Sequence, residues 1–506
     1  MNHKAVQNSI KNSVFAVLLR LLQIVFPFVT RTIVIHTLGL AYVGVSGLFS
    51  SIFGVLEIAE LGIGSALLQA LYEPIKQNDR EKENAIINFY RKAYFIIGIV
   101  ITVISLLLVP FLKNIIKAGT YPEDLNIYYI YFVNIASTAI GYLIYSYKSL
   151  LLEAHQRGRD ANKVRILFSF LQYGVQIPVL LITGNYYLYV SIGPIISLLS
   201  VLAISGICDK RLPGYEPKGD LSTEDKTLLQ KNISALFLYK IGSVVNNNVD
   251  GVVISAFLGA TILGAYNNYY LIVSSVSALI TVCYTAILPS VGHSLVNKNN
   301  EEKYELLMDY MVVDEWLNGW CAICLSCLLT PFIHIWAGSE SSFNELFAIL
   351  FGIYFFFWRL LDPVSMFKDT LGIWNRDKWR PLATAIVNLV TNIILVNIIG
   401  IYGILLSTII SVVVVSFPFS VRVLMQELNK SSKEYFTSTI KTIFFILIIG
   451  AITWCLCNAV SVNNSILSLF LKLLVCLVVP NSAFMFFYKD NPVLKSAGEM
   501  VRRRMK

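Results

Sequence analysis

Charge is the first thing this chain has little of. Only 14% of its 506 residues are Asp, Glu, Lys or Arg, against 56% hydrophobic. A soluble chain of this length carries nearer a quarter charged residues, so the scarcity excludes a water-solvated globular enzyme. Histidine is also scarce: five residues, scattered, with no spacing that could hold a catalytic zinc. No glycine-rich phosphate-binding loop occurs, which argues against a bound nucleotide as energy source. No stretch between the apolar runs is long enough for a folded soluble domain or a loop of catalytic carboxylates, so the chain is expected not to be an enzyme. The eight cysteines form no disulfide framework. Cys321, Cys324 and Cys327 recur every third residue, a pattern that invites a metal or iron–sulfur reading. They lie inside an apolar run, where cysteine packs as a small hydrophobe, and no metal or cofactor is expected.

What the chain has in quantity is long apolar runs, with a mean hydropathy of +0.66. A membrane-crossing helix needs about 20 apolar residues. A window of that length marks about fourteen spans, near 13–36, 43–71, 93–112, 127–148, 164–183, 186–207, 233–257, 262–288, 311–335, 345–366, 381–400, 402–424, 442–460 and 465–488. The fold class read from this is all-α and integral to the membrane. The first helix follows a short basic segment and no small-residue cleavage site follows it, so it reads as a retained anchor.

Lys and Arg gather on the cytoplasmic side of membrane proteins. With both termini inside, 33 of the 40 basic residues flank spans on the cytoplasmic face. The external loops hold two, Lys113 and Lys117, and five lie within spans: Arg20, Arg31, Lys240, Arg359 and Lys472. The net charge of +9 is thus explained by topology rather than by a nucleic-acid surface.

The sequence also repeats itself. Leu38-Gly39-x4-Gly44 returns as Leu258-Gly259-x4-Gly264, 220 residues on, and Arg159-Asp160-x2-Lys163 returns as Arg376-Asp377-x2-Arg380, 217 residues on. The nearly equal offsets indicate a duplication of six spans, with a cavity expected between the halves. The expected organisation is an N-terminal six-helix bundle (1–210), a cytoplasmic linker (211–232), a second bundle (233–430), and two further helices with a basic tail (431–506).

An ionisable residue at the bilayer centre costs about 2.5–3.5 kcal/mol on insertion scales, so it normally faces a bundle interior or a watery cavity. Arg20 and Arg31, eleven residues apart, share one helix face with Gln23 and Pro27. They read as a cationic ladder lining a lumen, or as two arginines snorkelling to opposite interfaces. Lys240, Ser243, Asn247 and Asp250 make a polar stripe on span seven. Glu57 and Glu60, one turn apart among glycines, and Arg359 with Asp362 at i, i+3, are either ion pairs holding helices together or ion-coupling groups. Lys472 has no neighbour to pair with and reads as structural or snorkelling. Several fixed cations around a cavity imply an anionic cargo, and the guanidinium fork suits phosphate.

The stretch LGATILGAYNNYYL at 258–271, preceded by Asp250, resembles the seventh-to-eighth helix region of Wzx-type polysaccharide flippases. So do Arg359 through Asn388, with Phe-Lys-Asp-x-Leu-Gly at 367–372, and the Arg31, Leu38-Gly39-x4-Gly44 and Ala59-Glu60-Leu61-Gly62-Ile63-Gly64 pattern. The resemblance covers essentially the whole chain. It implies the multidrug/oligosaccharidyl-lipid/polysaccharide exporter superfamily, with two six-helix bundles plus two helices. Such proteins flip undecaprenyl-pyrophosphate-linked oligosaccharides across the bacterial inner membrane for capsule, O-antigen or exopolysaccharide assembly. The resemblance implies Arg20, Arg31, Lys240, Asp250 and Arg359 as substrate-binding residues of a cationic cavity, with Asn247 beside them. It leaves Glu57, Glu60 and Asp362 for ion coupling by an ion gradient or the membrane potential. The lipid-linked cargo, membrane lipids, a polysaccharide polymerase and chain-length machinery are the implied partners. The same fold serves multidrug antiporters, and a peptidoglycan or teichoic acid precursor would use the same carrier chemistry. A membrane polymerase or glycosyltransferase would need a larger loop or domain than this chain has.

Overall fold

Hydrocarbon offers a backbone no hydrogen bonds, so each segment inside it must satisfy its own N–H and C=O groups. The computed structural model meets this with helices and, among the described residues, no strand. It describes residues 3–491 except 61, 145, 297 and 461. The side chains of residues 3–14 and of Lys240, Ser243, Asn246 and Asn247, among a few others, lie outside the description.

The chain divides into two compact units, residues 1–267 and 268–506. The first contains α1 (His3–Thr37), α2 (Leu40–Leu56), α3 (Ile63–Gln77), α4 (Arg80–Leu108), α5 (Leu112–Ile115), α6 (Ile127–Leu143), α7 (Ser146–Ala154), α8 (Gly158–Thr183), α9 (Tyr186–Arg211), α10 (Thr223–Phe257) and the start of α11 (Ala260–Leu295). The second continues α11 and adds α12 (Asn300–Ala337), α13 (Glu345–Arg359), α14 (Asp362–Leu371), α15 (Arg380–Ile399), α16 (Ile401–Ser411), α17 (Phe417–Glu427), α18 (Ser432–Ala459) and α19 (Ser465–Phe487).

Asparagine starts many of these helices, because its side-chain oxygen accepts the N–H groups that the first turn leaves unpaired. Asn185 takes those of Tyr187 and Leu188, and Asn464 those of Ile466 and Leu467. The outward faces carry large apolar side chains such as Leu107, Ile182 and Phe486, which are exposed in the protein alone and suit a lipid solvent.

Among the described residues, eleven helices are long and apolar enough to cross a membrane, or twelve if the bent pair α6 and α7 counts as one span. The expected span 43–71 is interrupted by a 3-10 turn at Glu57–Glu60, which leaves α2 and α3 each too short. The expected span 233–257 lies partly outside the described side chains, and its described end, Asn248–Phe257, is a short apolar helix. The interruptions matter for function, because a broken helix exposes backbone and side-chain polar groups at membrane depth only where protein or water can receive them.

The duplicated glycine motif has a physical cause. Gly39 and Gly259 adopt φ of 104° and 102° at the tight turns α1–α2 and α10–α11, a region open to glycine. The second glycines bring two backbones together. A Cβ on Gly44 would overlap the Ala260 carbonyl oxygen and lie 3.1 Å from the Gly264 nitrogen; one on Gly264 would overlap the Leu40 carbonyl oxygen. The two copies of the motif therefore cross each other inside the first unit, at a separation no side chain permits.

The second duplicated motif is an electrostatic clasp. Asp377, fully buried, accepts two hydrogen bonds from Arg380 Nε at 2.9 and 2.8 Å and one from the equally buried Lys368. Its counterpart Asp160 stands 3.8–3.9 Å from the guanidinium groups of Arg157, Arg159 and Arg211.

Candidate functional site

Within the first unit, α1, α3, α4, α7, α8 and α9 enclose a cavity of about 660 Å³. Its polar lining includes Gln23, Glu60, Tyr94, Glu153, Arg165 and Gln172, with serines at 65, 149, 169, 197 and 200 between them. Glu60 is presented by the 3-10 break between α2 and α3. Its carboxylate accepts from Tyr94 OH on α4 and from Tyr142 OH, at 2.7 Å, near the α6–α7 bend. Two interrupted helices thus meet at one acid–phenol node. Arg165, two turns into α8, is exposed to the cavity and donates to Ser149 Oγ at 2.6 Å and Asn162 Oδ1 at 3.1 Å. The cavity therefore offers one guanidinium, two carboxylates, amides and a row of hydroxyls.

The second unit holds a related node. Tyr284 on α11 donates to Asp314 on α12, which also accepts from Asn318 at 2.6 Å. Arg359 at the end of α13 donates to Ser277 at 3.1 Å and Thr281 at 2.9 Å, pairs with Asp362, and lies 5.7 Å from the Tyr284 ring. A cavity of about 160 Å³ touches Thr281, Tyr284, Arg359 and Asp362. Beside it Glu315 accepts from Tyr488 OH at 3.1 Å. Thirty-four residues separate acid from phenol in the first node and thirty in the second, with the two groups exchanged between helices.

The residues singled out from sequence fall in different places. Glu60 and Gln23 line the larger cavity. Arg359 and Asp362 are joined as the ion pair their spacing suggested. Arg31 donates to the backbone carbonyl of Asn267, and Arg20 is exposed on α1 outside the residues lining these cavities. Glu57 is exposed at the 3-10 turn. Asp250 is buried on α10, whose Asn248 packs against Gly54 of α2 so closely that a Cβ there would overlap it. The side chains of Lys240 and Asn247 lie outside the described residues. Sequence reasoning passed over Arg165, Glu153, Tyr284, Asp314 and Glu315. Arg165 sits at the start of the expected span 164–183 and counted as a cytoplasmic flank, whereas α8 begins earlier, at Gly158.

Residues 9–294 match the family model described as polysaccharide biosynthesis protein, more than half of the chain. The chain belongs to that family. No curated protein sequence matches it. Among solved structures, this polysaccharide biosynthesis protein is similar to the lipid II flippase MurJ in an inward closed conformation, with a TM-score of 0.66 at 14% identity, over 95% of this chain and 99% of that one. It is also similar to an inward-facing multidrug resistance MATE transporter of the MOP superfamily (TM-score 0.64, 14% identity, 83% and 99% covered). A Vibrio cholerae MATE transporter gives a TM-score of 0.58 at 13% identity, over 84% and 97%. The protein therefore has the MurJ- and MATE-like fold and, with its many long apolar helices, is a multi-pass membrane protein, the fold that the resemblance read from its sequence implies.

Proposed function

We propose that this protein flips an undecaprenyl-pyrophosphate-linked oligosaccharide from the inner to the outer leaflet of the bacterial cytoplasmic membrane by alternating access, feeding capsule, O-antigen or exopolysaccharide assembly. Both termini then face the cytoplasm, and the protein makes and breaks no covalent bond. The observation that carries this reading is the lining of the larger cavity. A sugar is a dense array of hydroxyls, each both donor and acceptor, and it needs a wall that alternates the two. Serines 149, 169, 197 and 200, Gln23, Gln172, Glu60 and Glu153 offer that wall, and Arg165 offers the planar fork that binds a phosphate oxygen pair. In the second unit an apolar groove of about 290 Å³ runs along Ala322, Gly352, Phe356, Ile446, Gly450 and Trp454, a lining suited to an isoprenoid tail. Coupling to an ion gradient falls to the carboxylates Glu57, Glu60 and Asp362, with Asp314 beside Asp362.

The test is a host deleted for its own flippase and supplied with this gene. The reading expects the gene to restore surface polysaccharide and clear the undecaprenyl-linked intermediate, while Arg165→Ala lets the intermediate accumulate at equal expression. An unchanged intermediate pool, in a host that makes the matching repeat unit, refutes it. The likeness to a lipid II flippase over 95% of the chain favours one second reading, a peptidoglycan precursor as cargo. Rescue of cells depleted of their lipid II flippase distinguishes the two.

A further inference from the structure

Three cysteines from three helices converge between α12, α18 and α19. The Sγ atoms of Cys327, Cys457 and Cys476 all lie within 4.8 Å of one another, and the Cys457 and Cys476 sulfurs are 3.8 Å apart. All three are buried, and Cys476 is fully shielded. A fourth thiol, Cys324, donates to the Cys476 carbonyl at 3.9 Å, and Cys457 to the Lys472 carbonyl at 3.7 Å. Lys472 precedes Cys476 by one turn of α19, is half-buried, and enters no ion pair among the described residues. A cation held in an apolar layer without an anion is costly. Cysteine also packs as a small hydrophobe in such layers, but that role does not require three sulfurs at one point.

We propose that Cys327, Cys457 and Cys476 form a trithiolate site for a soft or borderline divalent cation of the zinc class. Thiolate ligands about 2.3 Å from such an ion stand roughly 3.8–4.0 Å from each other, the separation Cys457 and Cys476 already have. Among the described residues no carboxylate or imidazole joins the three sulfurs within ligating range, so the donor set selects against magnesium and calcium. Charge selects the valence. Binding releases three thiol protons to solvent, and a divalent ion together with the Lys472 ammonium cancels the three thiolates, leaving the site neutral in a medium that penalises net charge. A monovalent ion would leave one uncompensated negative charge. The site fastens the α18–α19 hairpin to α12 within the second unit and gives Lys472 its partner. This assignment is independent of the cargo.

The full-length protein, purified in lipid nanodiscs, stripped with a chelator and reduced, is titrated with Cd²⁺ as probe. The site predicts one tightly bound ion per chain, a thiolate-to-cadmium charge-transfer band in the ultraviolet, and uptake competed by Zn²⁺. Cys327→Ser, Cys457→Ser and Cys476→Ser each remove the band, whereas Cys208→Ser and Cys283→Ser keep it. Lys472→Met keeps the band but weakens binding about tenfold, as loss of a supporting group does. Should the cysteine variants fold poorly, the unaltered protein still answers: Cd²⁺ slows alkylation of Cys327, Cys457 and Cys476, read by mass spectrometry, and leaves Cys283 and Cys455 unprotected. Absence of the band, its survival in the triple serine variant, or equal alkylation with and without Cd²⁺ overturns the proposal. So does recovery of a Cys457–Cys476 disulfide from native membranes, which would make these two sulfurs a redox pair instead.

Discussion

Replacing Asp377 by alanine removes the carboxylate that is hydrogen-bonded to two buried cations, Lys368 and Arg380. Lys368 and Asp377 are fully buried, and the Arg380 side chain is only 10% exposed. Asp377 accepts two bonds from Arg380 and one from Lys368, while Ser416 and Ser420 take further donors of the same cations at 2.6 and 3.1 Å. Hydrogen bonds to charged groups contribute about 1.5–3 kcal/mol each, but the larger cost is the uncompensated charge left behind, about 3–5 kcal/mol when one partner of a buried pair is deleted. Asp377→Ala is therefore expected to destabilise the second unit by about that amount, read as a lower melting temperature in detergent and as earlier aggregation on size-exclusion chromatography. Arg376→Ala, one residue away, is the contrast. Its partner Glu427 lies 2.8 Å away but the arginine is 61% exposed, and such a pair contributes about 0.2–1 kcal/mol. The triple change Lys368→Met, Asp377→Leu, Arg380→Met removes all three charges and should recover much of the loss. Equal melting of Asp377→Ala and Arg376→Ala would refute the claim that the buried charges set the cost.

Arg165→Ala should reduce cargo binding about ten- to hundredfold, the value of one charge-assisted contact, with an unchanged melting profile; Arg165→Lys should recover only part, because it lacks the fork. Glu60→Gln keeps a carbonyl oxygen for one of the two phenols and turns its amide N–H toward the other, whose hydroxyl oxygen can accept, so folding should hold while ion-driven transport is lost; full transport in that variant would remove Glu60 from coupling. Gly44→Ala should cost about 1–3 kcal/mol or block folding, since its Cβ meets backbone rather than a movable side chain, and wild-type expression would contradict the crossing of the two motifs. Lys472→Ala should leave export unchanged, and complete loss of export would show that the last helix pair acts in transport.

The helical class was legible because lipid demands long apolar runs, and the repeat was legible because two short motifs recur at one offset. What recurs was visible; why it recurs was not. Gly44 and Gly264 are conspicuous only as a spacing until the two backbones are seen to cross. The breaks were harder. Glu57 to Glu60 reads as part of a single span, although two acids among glycines is the composition at which a helix gives way. Arg165 was hidden by its position, since a basic residue at a span edge satisfies the topology count whether it faces water or a cavity. Asp314 and Glu315 were masked in the same way, at the margin of the expected span 311–335. Of the three converging cysteines, Cys327 lies more than a hundred residues before the other two, and no local pattern links it to Cys457 and Cys476.

The most direct test of the flippase account is translocation by the protein alone. It would be reconstituted into vesicles whose inner leaflet holds an undecaprenyl-diphosphate oligosaccharide, with the sugar then assayed for access to an external lectin under an imposed ion gradient. The account predicts that the sugar becomes accessible with the unaltered protein, slowly or not at all with Arg165→Ala, and not at all with Glu60→Gln. Accessibility that stays at the level of empty vesicles, in a preparation whose fold and orientation are verified, would contradict it.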